Sequence, residues 1–177
     1  HRAGGLTADV FLFAAIVRRN NLLMRRLIQG FPAVALLEYT GGHLHVATIS
    51  TAGSVELIRQ AKAKKLKVTA SVAAHNLLLD DGCLRGFETC YKVMPPLRDS
   101  EHIDALRAGV KDGTIDAIVS DHRPEDREHK VLEYGPAAFG IIGLETAFAV
   151  ANTALKGSTS LRRIAFLLHV EPGIDPD

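Results

Sequence analysis

The sequence predicts an α/β fold made of parallel βα units, and three observations lead to this prediction. Three short apolar runs rich in β-branched residues, 44–49, 66–72 and 115–120, have the length and composition of strands. Segments with helical spacing of apolar residues lie after them, at 54–64, 101–110 and 144–155. Because parallel strands need a crossover of about a dozen residues, this alternation favours either a (β/α) barrel or an open doubly wound sheet.

Local signals support each element in order. Gly41 and Gly42 mark a turn before the first strand, and Ser50 and Thr51 are candidate caps for the first helix. The polar, glycine-containing stretch 80–89 after the second strand is predicted to cross the surface. Asp112–Gly113 ends the second helix, and the third strand is apolar enough to be buried on both faces.

Composition excludes several classes of function. The 21 Lys and Arg against 20 Asp and Glu leave a net charge of +1, without the basic face that nucleic-acid binding requires. The apolar run 10–17 is too short to span a membrane. Two cysteines, Cys83 and Cys90, predict reduced thiols in a cytoplasmic protein. No glycine-rich phosphate loop follows a strand, which disfavours nucleotide binding.

Candidate site residues lie where the predicted strands end. Asp121 directly follows the third strand, where a carboxylate can bind a metal or transfer a proton; the alternative is a turn or helix cap. His43 and His45 share one face of the first strand, either as metal ligands or as an exposed pair. The run Gly140–Gly143 precedes a helix and offers backbone amides to an anionic or carbonyl group.

Five blocks of the sequence resemble consecutive blocks of the dihydroorotases, in the same order. They are His45–Ile58, Val68–Leu79, Tyr91–Arg98, Asp112–Pro124 and Phe139–Thr146. The resemblance implies that residues 34–156 are the C-terminal part of an amidohydrolase-type (β/α)8 TIM barrel, incomplete in this chain. Residues 1–33 and 157–177 stay unassigned. With only three or four convincing strands, we expect an open sheet edge, because a barrel closes only when every strand is present.

The resemblance also implies a function. Dihydroorotases interconvert N-carbamoyl-L-aspartate and dihydroorotate in pyrimidine biosynthesis, using one or two zinc ions that activate hydroxide. Asp121 matches the aspartate that serves as metal ligand and catalytic acid or base, and Phe139, Gly140 and Gly143 match substrate-binding positions. A cytoplasmic homo-oligomer acting on a small molecule, with aspartate transcarbamoylase as a possible partner, is the corresponding expectation.

Four positions depart from the family pattern. Thr48 stands where a metal-ligand histidine is expected, and Asn76 replaces the second histidine of a Pro-His-His-Leu block. Met94 replaces an asparagine that contacts substrate, and Glu125 replaces a histidine that meets the substrate carboxylate. A non-catalytic homologue that scaffolds aspartate transcarbamoylase is therefore one alternative. A hydantoinase or allantoinase relative is the other.

Overall fold

The strands of the described residues form a three-stranded parallel sheet. The computed structural model describes residue 37 and residues 42–169. Within them the strands are β1 (Leu44–Val46), β2 (Val68–Ala73) and β3 (Ala117–Val119), in the order β1-β2-β3. Val46 pairs with Ala70, and Val72 pairs with Ile118. The predicted α/β class and parallel strand pairing are confirmed.

The described residues contain five α-helices: α1 (Ala52–Ala63), α2 (Ser100–Asp112), α3 (Arg127–Lys130), α4 (Ala147–Ala154) and α5 (Leu161–His169). The predicted helices correspond to α1, α2 and α4. Single turns of 3-10 helix cover Ala74–Leu77, Asp81–Leu84 and Thr89–Tyr91, so the stretch after β2 is an irregular excursion as predicted. Helix α5 lies in the segment that the sequence analysis leaves unassigned, whereas residues 1–33 lie outside the described residues.

The helix ends follow the local chemistry of the sequence. Thr51 caps α1, and its Oγ1 accepts the N–H of Ser54 at 3.2 Å. Helix α2 begins after Asp99, whose side chain accepts the N–H of His102, and it ends at Gly113 with φ of 82°. A glycine is suited to this left-handed conformation because it lacks a Cβ. These caps fix where each helix meets the sheet.

The core lies between the sheet and the helices. Helix α1 packs on α2, and Gly109 of α2 sits so close to Val55 and Ile115 that a Cβ there would lie 3.0 and 3.2 Å from their side chains. Helix α5 packs on β3 and α4 through Ile164 and Leu167, which are fully buried. The burial of these apolar side chains is the main stabilising contribution.

The sheet is a partial one, in agreement with the incomplete barrel that the sequence predicts. Among residues 42–169, β1 and β3 each pair with β2 and have no second neighbour. Ala117 and Ile118 of β3 are nevertheless buried, by the helices packed against them. In the same part of the chain, every helix is too short or too polar to cross a membrane.

Candidate active site at the carboxyl ends of the strands

Three polar residues follow the three parallel strands at one edge of the sheet. Thr48 follows β1, His75 follows β2 and Asp121 follows β3. Thr48 and Asp121 both have left-handed backbones, with φ of 49° and 44°. This conformation is costly for a β-branched residue such as threonine, and strained residues are concentrated at functional sites. The strand ends thus form a candidate site around Asp121.

His75 is the buried member of this group. Its side chain is 6% exposed, and neither ring nitrogen has a hydrogen-bond partner within the described residues. Burial lowers the pKa of His75 below 6.5, and the negative charge of Asp121 opposes part of that decrease. The ring is therefore neutral near pH 7, and Asp121 lies near enough to act on it electrostatically.

A hydroxyl network fixes the end of β1. Ser71 accepts the N–H of Thr48 on its Oγ at 3.2 Å, and its carbonyl accepts the N–H of Ile49 at 2.9 Å. The same Oγ lies 3.1 Å from Nε2 of His45, whose Nδ1 lies 2.8 Å from Thr69 Oγ1. Burial lowers the pKa of His45. Both nitrogens of a neutral His45 are thus used inside the protein.

The loop Phe139–Gly143 is attached to the turn that carries Asp121. Arg123 donates its N–H to the carbonyl of Ile141 at 3.0 Å. His122 Nδ1 accepts the N–H groups of Gly143 and Leu144 at 3.2 and 3.3 Å. The loop and the turn therefore hold each other in place.

Steric contact explains the two glycines of this loop. A Cβ on Gly140 would lie 2.3 Å from the carbonyl oxygen of Arg123, and a Cβ on Gly143 would lie 2.5 Å from that of Ser120. The N–H of Gly140 is bound to the carbonyl of Lys92, and that of Gly143 to His122. Contacts from this loop to a bound molecule would therefore involve other groups, such as the ring of Phe139, which is 40% exposed.

The remaining altered positions surround the same edge. Asn76 is buried, and its Nδ2 lies 3.5 Å from the carbonyl of Pro96. Met94 is half-buried and precedes Pro95 through a cis peptide bond. Glu125 is exposed, with its Cγ close to Gly140, and its negative charge raises the pKa of Lys130 against a larger decrease caused by burial.

The described residues do not fit a zinc centre. Residues 42–169 contain no group of three or more His, Cys, Asp or Glu side chains placed to hold a metal ion. His43 is exposed and His45 is engaged with hydroxyl groups, so this pair forms no such site. Zinc sites in proteins use at least three nitrogen, sulfur or carboxylate ligands. Of the expected ligand positions in this part of the chain, only Asp121 keeps a suitable donor.

Sequence reasoning missed two residues that organise this edge, Ser71 and Lys92. Ser71 and Lys92 are each buried and make several hydrogen bonds. In the sequence, Lys92 is marked only by its position next to the apolar Val93, inside the block Tyr91–Arg98 that resembles dihydroorotases. Lysine is seldom fully buried unless its ammonium is paired.

Comparison with the sequences of known proteins supports the resemblance to dihydroorotases. No family model matches the chain. It is 49% identical over 141 residues to a dihydroorotase from Thermoanaerobacter sp., covering 78% of this chain and 33% of the relative. It is 47% identical over 157 residues to a dihydroorotase from Leifsonia xyli subsp. xyli, covering 82% and 36%. The chain thus spans about a third of the length of the curated relatives it matches.

Solved structures of cyclic amidohydrolases share the fold. An L-hydantoinase (dihydropyrimidinase) from Arthrobacter aurescens matches with a TM-score of 0.71 and 29% identity, over 80% of this chain and 32% of the other. A dihydroorotase from Saccharomyces cerevisiae matches with a TM-score of 0.63 over 75% and 37%, and its 16% identity supports the fold alone. In sequence and in fold, the chain therefore belongs with the dihydroorotases of the amidohydrolase superfamily, as a part of their TIM barrel.

Proposed function

We propose that this chain is the C-terminal portion of the barrel of a dihydroorotase-type enzyme. The reaction interconverts N-carbamoyl-L-aspartate and dihydroorotate in pyrimidine biosynthesis. The observation that carries the proposal is the position of Asp121: its carboxylate follows β3, inside the sequence block that resembles dihydroorotases, at the edge where enzymes of this architecture place their chemistry. Identity of 47% and 49% to two dihydroorotases supports the same reaction.

Asp121 would move the proton in this reaction. Opening the ring adds the oxygen of water to the cyclic amide carbonyl and breaks the bond to the ring nitrogen, which must gain a proton as it leaves. A carboxylate at the rim can accept the proton of the attacking water and return it to that nitrogen. Burial keeps the nearby ring of His75 neutral near pH 7, so it adds no positive charge at this rim.

The loop Phe139–Gly143 would face the substrate beside Asp121. We propose that Phe139 contacts the substrate directly, whereas Gly140 and Gly143 allow the loop to approach the turn at Ser120 and Arg123. When bound, zinc would supply a hydroxide at neutral pH. Asp121 would be one zinc ligand, and the other ligands would have to come from outside residues 42–169, because the described residues do not form a metal site.

Two alternatives depend on specific observations. Thr48 removes a nitrogen donor and Glu125 places a negative charge beside Gly140, which favours a non-catalytic homologue that scaffolds aspartate transcarbamoylase. A hydantoinase is the second alternative, because hydantoinases are among the solved structures that share the fold. Their identity of 26% and 29% is well below the 49% and 47% of the dihydroorotases from Thermoanaerobacter sp. and Leifsonia xyli, which favours dihydroorotate as substrate.

The test is a turnover assay on the complete protein that contains this segment, with bound metal measured in the same sample. We expect Asp121→Asn to lower the formation of dihydroorotate by about a hundredfold or more, as for loss of a general acid or base. Asp104→Asn is the matched control: Asp104 is exposed on α2 and should leave turnover unchanged. Unchanged turnover in Asp121→Asn would refute its role, and absent turnover without bound metal would favour the scaffold.

A further inference from the structure

Lys92 is buried without a carboxylate partner among residues 42–169, yet its ammonium is fully hydrogen-bonded. The residue is 6% exposed. Its Nζ donates to the carbonyls of Tyr134, Gly135 and Ala137 at 2.7, 2.8 and 2.7 Å. An ammonium has three N–H groups, so these three bonds use all of them. The side chain thus binds the backbone that leads directly into the loop Phe139–Gly143.

The same residue reaches the loop itself in two further ways. Its Nζ lies 4.6 Å from the centroid of the Phe139 ring, within the range of a cation–π interaction. Its backbone carbonyl accepts the N–H of Gly140 at 2.9 Å. Lys92 therefore contacts both the exposed ring of Phe139 and the backbone that follows it.

The loop in turn is fitted against the segment that carries Asp121. Gly140 packs on the carbonyl of Arg123, and the N–H of Arg123 is bound to the carbonyl of Ile141. There is no space for a methyl group at this contact. A shift of the backbone near Lys92 would consequently change the distance between the ring of Phe139 and Asp121.

We propose that Lys92 is the positioning residue for the loop Phe139–Gly143. It sets the place of the Phe139 ring relative to Asp121 and thereby the fit of the substrate, a role that rests on the proposed function. Lysine suits the position because a compact ammonium can direct three donors at three converging carbonyls. The guanidinium of arginine holds its donors in one plane, which matches the paired oxygens of a carboxylate or phosphate instead.

The test compares Lys92→Met with Lys62→Met in the complete protein. Lys62 is the matched control, since its Nζ also donates to protein groups, the carbonyl of Gly113 and the carboxylate of Asp116, but far along the chain from the loop. Hydrogen exchange reports on the bound amides of Gly140, Gly143 and Leu144. We expect about tenfold faster exchange of these amides in Lys92→Met, and unchanged exchange in Lys62→Met.

Kinetics provide the second measurement. Lys92→Met should raise KM by about tenfold with a smaller change in kcat, because the substrate is held less well while Asp121 stays in place. Lys92→Gln keeps two N–H donors, so its amide exchange and its KM should lie between those of Lys92→Met and the unsubstituted protein. It replaces Lys92→Met in the test if the methionine variant does not fold. Equal loop protection in both lysine variants would overturn the proposal. Absence of turnover in the unsubstituted protein would contradict the proposed function alone, and the exchange result would then decide on Lys92.

Discussion

Replacing Gly143 by alanine should destabilise the protein through a single steric contact. The added Cβ would lie 2.5 Å from the carbonyl oxygen of Ser120, whereas real Cβ atoms essentially never come within 3.0 Å. The contact involves backbone on both sides, so the loop must move by about 0.5 Å or more, and overpacking of this kind costs about 1–3 kcal/mol. The movement also stretches the hydrogen bond from the N–H of Gly143 to His122, worth about 1 kcal/mol. We expect a total loss of about 2–4 kcal/mol.

Urea denaturation at fixed pH measures this loss as a lower free energy of unfolding. Gly53→Ala is the matched control, because a Cβ at Gly53 meets nothing within 4 Å. There the same substitution should stabilise α1 by about 0.5 kcal/mol, since alanine is the better helix former. Two variants with the same chemical change thus have opposite expected signs. A loss below about 0.5 kcal/mol in Gly143→Ala would refute the steric argument.

Two further predictions concern pH and helix capping. Burial holds the pKa of His45 below 6.5, so the unfolded state takes up a proton before the folded state does. The free energy of unfolding should therefore decrease as pH falls through 6.5, and urea midpoints should show a smaller decrease in His45→Gln, with His75 responsible for part of the remaining slope. Thr51→Ala removes the cap of α1 and should cost about 1 kcal/mol in thermal or urea unfolding, while Thr51→Ser should be nearly neutral.

The fold was largely predictable because its elements are marked by local patterns. Apolar spacing and caps such as Thr51 and Gly113 lie within a few residues of the helices they define. The first strand is shorter than predicted, since Thr48 adopts a left-handed backbone that a strand cannot continue through. Helix α5 was missed although Ser160 accepts the N–H of Arg163 at its start and Ile164 and Leu167 form its buried apolar stripe.

The candidate site was predictable only in part, for a physical reason. The strand ends and Asp121 follow from the order of elements, since parallel strands bring their carboxyl ends to one edge. The contacts of Lys92 with Tyr134 and Ala137 join residues more than 40 positions apart. No local pattern encodes such a contact, because its energy depends on where two irregular segments meet after folding.

The residues that depart from the family pattern are not the residues that hold the strand-end edge in place. Ser71, Lys92 and His122 act on backbone groups, and each holds a segment of the strand-end edge in place. Thr48 shows this distinction within one residue: its N–H is bound by Ser71 while its side chain lacks the imidazole that the resemblance leads one to expect. A change confined to donor side chains leaves the backbone of the site intact.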